Sequence, residues 1–374
     1  MRTLLTVSGT IDPTRDEAIA EGRRPRADYD EIAAAADAEV IDHSAAEQML
    51  GRLGRILRRV TSSDVVLAVA CFKLRKRYAT VLTDSERVGI PYAAVSMLAR
   101  RRPRHVMIAH RLSAPKKLIL HRVLGLRRRI DHVVVYSTAQ RQVALSRLGY
   151  HPDAVTTTSF MVDTAFWRKD GLKRADRSRP LICAVGQELR DYPTLAAAVG
   201  PLDVDVVIAA ASPWSRRADS AAGIDVPANV SVGAYDLFDL RQLYADSAFV
   251  VVPVEETDFQ AGITTVLEAM SMGLAVICTR TTGQTDTVVD QVNGLYVAPG
   301  DVGGLRAAIA RLLERPELAA RLGTAGQAWA RQNADVEVYA ERLAAIAGGT
   351  STQPNAPTRR SRFGSTRSGR SIRR

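Results

Sequence analysis

Short, almost wholly apolar runs alternate along the chain with longer stretches whose apolar residues recur at helical spacing. In the first half the runs of strand length are residues 3–7, 38–41, 64–70, 79–83, 105–109 and 131–136. Helix-like stretches at 29–36, 44–60, 116–126 and 139–148 lie between several of them. The second half repeats the plan, with strands expected at 180–185, 204–211, 248–254 and 275–279 and helices at 194–199 and 265–272. Residues 316–347, rich in Ala, Leu, Glu and Arg, read as a helical ending. Strands of this length alternating with helices predict parallel βαβ units and an α/β fold. Their apolar character predicts strands covered on both faces.

Polar punctuation divides this pattern. Residues 168–179 are charged and carry no apolar period, so they read as a linker between a domain at 1–167 and a second at 180–348. A length of 374 residues suits two domains. Beyond Gly348 the composition turns to Ser, Thr, Pro, Gly and Arg, so residues 349–374 read as a disordered basic tail.

Composition narrows the function classes. Hydrophobic residues make up 46% of the chain, enough for two cores, and aromatic residues only 5%, which argues against a base-stacking surface. No run of about 18 uncharged apolar residues is present, so no membrane-spanning helix is expected. The first apolar run soon meets Asp12 and Asp16 and reads as a strand rather than a signal peptide. Cys71, Cys183 and Cys278 are isolated, which points to neither a zinc site nor a disulfide framework and fits the cytoplasm.

Charge is unevenly distributed. Residues 1–165 hold 27 Lys/Arg against 17 Asp/Glu, whereas residues 166–348 hold 17 against 23, and the tail adds seven Arg and no acid. Stretches 49–60 and 115–130 combine Arg or Lys with apolar residues at helical spacing. Such helices can lie on an anionic membrane, or their apolar stripes can pack on their own sheet with the Arg solvated.

The densest candidate chemistry lies at 251–270. An apolar strand runs into a polar loop containing Gly262, and a helix begins near Thr264 or Thr265. Loops at the carboxyl ends of parallel strands bind ligands, and a helix start suits a diphosphate. Glu268, one turn into the helix, can accept hydrogen bonds from ribose hydroxyls. Equally, Thr265-x-x-Glu268 has the form of a capping box. Asp28-Tyr29-Asp30 and Asp203-Val204-Asp205 have an Asp-x-Asp shape but do not follow a strand into such a loop, and read as solvated, so no metal site is expected.

These residues resemble glycosyltransferase family 4, retaining enzymes of the GT-B fold. The likeness runs through Leu267-Glu268-Ala269-Met270, Thr282-Gly283-Gln284-Thr285-Asp286 and Asn293-Gly294-Leu295-Tyr296, and is clearest over residues 180–345. It implies two Rossmann-like doubly wound parallel-sheet domains facing across a cleft, and a metal-independent transfer of a hexosyl-type sugar without a bound cofactor. It also implies a nucleotide-diphosphate sugar in the C-terminal half and a glycan or lipid-linked acceptor in the N-terminal half, with a place in cell-surface polysaccharide synthesis.

Residue by residue, the resemblance gives Glu268 to the ribose and Gly262, Ile263, Thr264 and Thr265 to the donor diphosphate. Gln260 stands where the family has a carboxylate that contacts the sugar. Residues 185–195 resemble the family's phosphate-binding turn, which makes Gly186 a donor contact and Arg190 the phosphate cation; a surface ion pair with Glu188 or Asp191 is the other reading of Arg190. His110, at the end of an apolar run, matches the His that faces the sugar, and Gly9 matches a glycine of the first loop.

Three rivals remain on sequence grounds. An inactive or non-transferring GT-B relative would share these motifs. A nucleic-acid-binding protein is prompted by the basic tail, but the low aromatic content and acidic second half oppose it. A nicotinamide-dependent dehydrogenase lacks its Gly-x-Gly-x-x-Gly after either first strand.

Overall fold

The computed structural model describes residues 2–211 and 226–350. Two six-stranded sheets, each wholly parallel where its strands pair, form the frame. The first contains β1 (Thr3–Thr6), β2 (Ala38–Ile41), β3 (Thr80–Thr83), β4 (Arg104–Ala109), β5 (His132–Val135) and β6 (Val155–Thr157), in the order β2-β1-β3-β4-β5-β6. The second contains β7 (Leu181–Val185), β8 (Asp205–Ala211), β9 (Val230–Ala234), β10 (Phe249–Val252), β11 (Ala275–Thr279) and β12 (Leu295–Val297), in the order β12-β11-β10-β7-β8-β9. In each sheet the order reverses beside the first strand, between β1 and β3 and between β7 and β10. A crevice opens at such a reversal, at the carboxyl ends of the strands.

Strands β1, β3, β5, β7, β10 and β11 are buried along their whole length, because helices cover both faces of each sheet. Residues 168–180 contain no helix or strand.

Three expectations are corrected. Residues 64–70 are not a strand but part of helix Ser63–Leu74, which Ser62 caps by accepting from Val65 N–H at 3.4 Å. The segment is apolar on every side because it packs between helices His43–Leu50 and Glu86–Ser96, so no polar stripe betrays its period. Residues 44–60 form two helices, His43–Leu50 and Arg52–Val60, separated by Gly51 at φ 58°.

The helical ending also divides. Helix Pro316–Asn333 stays on the second sheet, whereas Val336–Ala347 crosses back to the first. There Tyr339, Leu343 and Ile346 pack with Leu5, Ile32 and Val134, and the Tyr339 and Tyr136 hydroxyls meet at 2.6 Å. A boundary at 348 therefore misassigns this helix: its apolar face is buried on the N-terminal sheet. The basic tail from residue 351 onward lies outside the described residues.

Among the described residues no helix is long and apolar enough to cross a membrane. Helix Arg52–Val60 buries only Gly54 and leaves Leu53, Ile56 and Val60 exposed by 50%, 58% and 75%. Helix Pro115–Val123 likewise exposes Ile119 and Val123. Their stripes do not simply pack on the sheet beneath.

Candidate functional site

A cavity of about 630 Å³ lies between the two sheets. Its N-terminal wall is built from the turns that follow β1, β3, β4 and β5, and its C-terminal wall from those that follow β7 and β10. Ser8, Glu86 and His110 face Glu188, Gln260 and Thr264 across it.

The C-terminal wall depends on how residues 186–191 fold. Gly186 takes φ 105°, and a side chain there would collide with the Arg190 guanidinium. Backbone bonds from Asp191 N–H to Pro253 O (3.1 Å) and from Glu255 N–H to Leu189 O (3.0 Å) pin this turn to the end of β10. Arg190 is thereby drawn inside and is only 7% exposed. Its Nε donates to Val185 O (2.8 Å), Nη1 to Glu188 O (2.8 Å) and Nη2 to Thr265 Oγ1 (3.3 Å). No carboxylate pairs with it among the described residues, so the surface-ion-pair reading is excluded. Burial lowers the guanidinium from its ordinary value, against the opposing pull of nearby Tyr192 and Cys278.

Helix Ile263–Ser271 starts immediately above this cation. Gly262 caps it in the left-handed region (φ 80°), and a Cβ there would meet Val252 Cγ1 at 2.8 Å and Arg190 Nη1 at 3.3 Å. Gly262, Ile263 and Thr264 line the cavity, so the start of the helix faces it, although Ile263 N–H already donates to Gln260 O at 3.4 Å. Thr265 is buried and ties Arg190 to Val185 O rather than facing the cavity.

Glu268 does not cap this helix, which removes the capping-box reading. The helix begins too early for that, and the Glu268 carboxylate instead accepts from Tyr244 Oη at 2.9 Å. Burial pushes Glu268 up to about 8, only partly offset by the Tyr244 hydroxyl and the Arg190 charge. It stands behind the cavity wall rather than among its lining residues.

Gln260 is 8% exposed, lines the cavity and leaves Oε1 without a hydrogen-bond partner among the described residues. A buried amide acceptor of this kind is suited to a ligand hydroxyl. The nearby acids are otherwise engaged: Glu256 accepts from Thr282 N–H at 2.9 Å, and Asp258 pairs with Arg111 at 3.2 Å.

On the N-terminal wall, His110 is exposed to the cavity with its ring 5.1 Å from Tyr136 and its Nε2 3.1 Å from Asp84 O. Gly9 is not among the lining residues and has open space around it, so Ser8 takes the place expected of the glycine. Two acids that sequence reasoning missed hold this wall, Glu86 buried and Asp84 half-buried. Asp84 accepts from Thr6 Oγ1 and Ser8 N–H, both at 2.6 Å. Burial nevertheless raises its carboxyl. Glu86 accepts from His110 N–H (2.9 Å), Arg111 N–H (3.0 Å) and Lys117 Nζ (2.6 Å). Burial works to raise Glu86, but the His110 and Lys117 side overcomes it and holds the carboxyl below its ordinary range. The available signal was the polar run Asp84-Ser85-Glu86-Arg87 directly after an apolar strand.

Of the two Asp-x-Asp segments, Asp28 is not simply solvated: burial and the neighbouring Asp84 push it up to about 6. Asp203 and Asp205 both pair with Arg179.

The walls touch through Gln140 Nε2 donating to Asp258 O (2.7 Å), the Arg111 guanidinium over the Phe259 ring (4.7 Å), and Thr138 donating to Asp286.

This architecture has known counterparts. Residues 183–315 match the family model described as Glycosyl transferases group 1. The match contains Arg190, Gln260, the Gly262 helix start and Glu268. Over 83 residues the chain is 36% identical to the GDP-mannose-dependent alpha-(1-6)-phosphatidylinositol monomannoside mannosyltransferase of Mycolicibacterium smegmatis, and over 113 residues 34% identical to sucrose synthase of Acidithiobacillus caldus. These alignments cover 22% and 29% of this chain but only 22% and 14% of the respective relatives.

Solved structures extend the likeness to the whole fold. HepE of Anabaena, crystallised with UDP-glucose, superposes with a TM-score of 0.67 at 16% identity over 94% of this chain and 100% of that one. Sucrose-phosphate synthase of Thermosynechococcus elongatus gives 0.68 at 17% identity over 93% and 98%. The fold is therefore GT-B, two Rossmann-like domains facing across a cleft.

Proposed function

We propose that this protein is a retaining, metal-independent glycosyltransferase. It takes a nucleoside-diphosphate sugar on the C-terminal wall and passes the sugar, of hexosyl type, to a glycan or lipid-linked glycan held on the N-terminal wall. The observation that carries the reading is Arg190: a buried guanidinium that makes no ion pair among the described residues, just behind the cavity wall and beneath the helix start that lines it. A buried charge without a counter-ion is costly, and a diphosphate supplies the missing anion.

In this reading, bond breaking at the anomeric carbon places growing negative charge on the diphosphate. Arg190 and the N–H groups of the first helical turn stabilise that charge from fixed positions. Gln260 holds a sugar hydroxyl through its Oε1, His110 positions the sugar from the opposite wall, and Glu268, behind the wall in this state, anchors the ribose by exchanging its Tyr244 bond for a ribose hydroxyl. The contacts of Arg111 and Gln140 with residues 258–259 close the cleft and limit hydrolysis of the donor.

The acceptor side of the proposal rests on the outer surface. Helix Arg52–Val60 carries Arg52, Arg55, Arg58 and Arg59 beside exposed Leu53, Ile56 and Val60, a combination suited to an anionic bilayer. Peripheral attachment there would bring the cleft to lipid-borne acceptors.

Thermal unfolding with UDP, GDP, ADP and NAD, each with and without magnesium, tests the core of this proposal. A ligand at about a hundred times its Kd adds roughly 2.7 kcal/mol. Stabilisation by one nucleoside diphosphate, independent of magnesium and absent from Arg190→Ala, is the expected outcome. Stabilisation by NAD alone, or an Arg190→Ala protein that responds like wild type, would sink the proposal.

A further inference from the structure

His110 and Gln260, the two residues that the donor reading gives to the sugar, stand on opposite walls of the cleft. The loops that carry them are joined by a side chain behind the lining. Gln140 is 1% exposed and lies on the short helix Thr138–Gln142, which follows β5. Ser137 caps this helix by accepting from Gln140 N–H at 3.2 Å. From the other half of the chain, Asp286 accepts from Thr138 N–H at 3.1 Å and from the Thr138 hydroxyl. The start of the helix is thus anchored on both domains.

The Gln140 amide uses its whole hydrogen-bonding capacity. Oε1 accepts from Leu112 N–H (2.7 Å) and Ser113 N–H (3.3 Å). Nε2 donates to Ser113 Oγ (3.1 Å) and, across the cleft, to Asp258 O (2.7 Å). These partners fix the amide's orientation, since the two N–H groups need an oxygen and the Asp258 carbonyl needs a donor. Leu112 lies two residues after His110, and Asp258 two residues before Gln260. The loop of Gln260 has few other side-chain anchors. Gly283 N–H holds it through Thr257 O at 2.9 Å, but Thr257 Oγ1 and Gln260 Oε1 find no partner among the described residues. Of the contacts it receives from the opposite wall, that of Arg111 is half-exposed and that of Gln140 is buried.

We propose that Gln140 is a positioning residue for the donor sugar, setting the span between His110 and Gln260 through its bonds to Leu112 and Asp258. The assignment rests on the transferase reading above. Gln140 itself is not among the residues that line the cavity, so it acts through the two loops and not by touching the sugar. Its bond to Asp258 exists only while the walls are together. When they part, a buried amide donor loses its acceptor, which costs more than an exposed contact would. Closure and alignment of the sugar-holding groups are therefore one event. The diphosphate is held by Arg190 and the Gly262 helix start, within the C-terminal wall alone, and does not depend on that span.

Calorimetry of the full chain with UDP, GDP and ADP, and with UDP-glucose, GDP-mannose and ADP-glucose, gives the ratio of nucleotide-sugar affinity to diphosphate affinity. Gln140→Glu keeps an acceptor for the Leu112 and Ser113 N–H groups and sets a second oxygen against Asp258 O, so it breaks the bond across the cleft and spares those within the domain. In this variant the ratio should fall about fivefold or more, while affinity for the diphosphate stays within about twofold of wild type. A ratio that does not change overturns the assignment. Equal loss of both affinities also overturns it, because a role in folding alone would produce that. Should Gln140→Glu not fold, Asp286→Ala carries the test, as an exposed substitution that frees the start of the same helix. Its ratio should fall about twofold or more, and an unchanged ratio is again fatal. A wild-type protein that binds none of the six ligands breaks the donor reading itself, and this assignment with it.

Discussion

The two walls of the cleft invert the charge of the halves that carry them. The N-terminal half is basic, with 27 Lys/Arg against 17 Asp/Glu over residues 1–165, yet its wall is organised by one buried and one half-buried acid. Asp84 and Glu86 are saturated by donors from their own domain and serve to hold the turns that carry Ser8, His110 and Arg111. The C-terminal half is acidic, yet its wall centres on a buried cation. Arg190 is held by two backbone carbonyls and Thr265 and makes no ion pair among the described residues. The difference teaches that the sign of a region's net charge does not reveal its ligand. What matters is which buried group is still unpaired when the chain has folded. On one wall the charges have been satisfied and position the loops; on the other, one has been left open.

Arg190→Ala should break this contrast most severely. It should abolish stabilisation by the nucleoside diphosphate and lower turnover by about a hundredfold or more, and Arg190→Lys should recover only part because an ammonium cannot fork. Retained turnover in Arg190→Ala would erase the distinction between the walls.

Glu86→Gln comes next. Removing the carboxylate from two amides and Lys117 should cost about 1–3 kcal/mol in urea unfolding, with nucleotide affinity unchanged. The loss should shrink in acid. Because the folded carboxyl lies below its ordinary value, its contribution is present above the unfolded pKa and disappears as pH falls through the folded one. A Glu86→Gln protein that weakened nucleotide binding and kept its stability would place Glu86 in the donor site.

Gly262→Ala should cost about 1–2 kcal/mol, since it forces a side chain into the left-handed region, and should displace the helix start from above Arg190. Calorimetry with the nucleotide separates the two effects.

Glu268→Gln should show a smaller, pH-dependent gain. The folded carboxyl is raised to about 8, so its stability is full below the unfolded value near 4.5 and is lost as pH rises through 8. Melting temperatures of Glu268→Gln and wild type should agree at pH 5, and the variant should melt higher at pH 8. A gap that narrows with rising pH would contradict the buried, neutral acid.

Leu53→Glu should have the smallest effect on folding, within about 0.5 kcal/mol, because the side chain is exposed. Its consequence should appear in co-sedimentation with anionic vesicles, which should fall while binding to neutral vesicles stays negligible. Unchanged sedimentation would remove the membrane from the reading of the N-terminal half.

Much of the frame was legible because βαβ units announce themselves locally. Strands β2 and β11 fall where the apolar runs at 38–41 and 275–279 end and begin. Residues 64–70 were not legible, since a helix that is apolar nearly all round has no polar face and its apolar run matches that of a covered strand. The site divides in the same way. The polar loop with Gly262, and Gln260 within it, stood out as a break after an apolar run. Arg190 was visible as a cation after a strand, but its sequence neighbours Glu188 and Asp191 offered an ion pair equally well. The Glu268 environment was hidden, because Tyr244 lies on a different helix, Leu237–Asp246.

By itself the sequence determined the alternation of strands and helices over most of the chain, the polar turns after several strands and the glycines that allow two of those turns to approach a cation. Those properties depend on residues a few positions apart. Only the tertiary structure decided that Arg190 is buried without an ion pair among the described residues, that Glu268 rests on Tyr244, that Val336–Ala347 returns to the first sheet, and that Asp64 ties His43 to Arg87. Burial and pairing are relations between residues tens to hundreds of positions apart, and no local period or composition encodes which partners will meet.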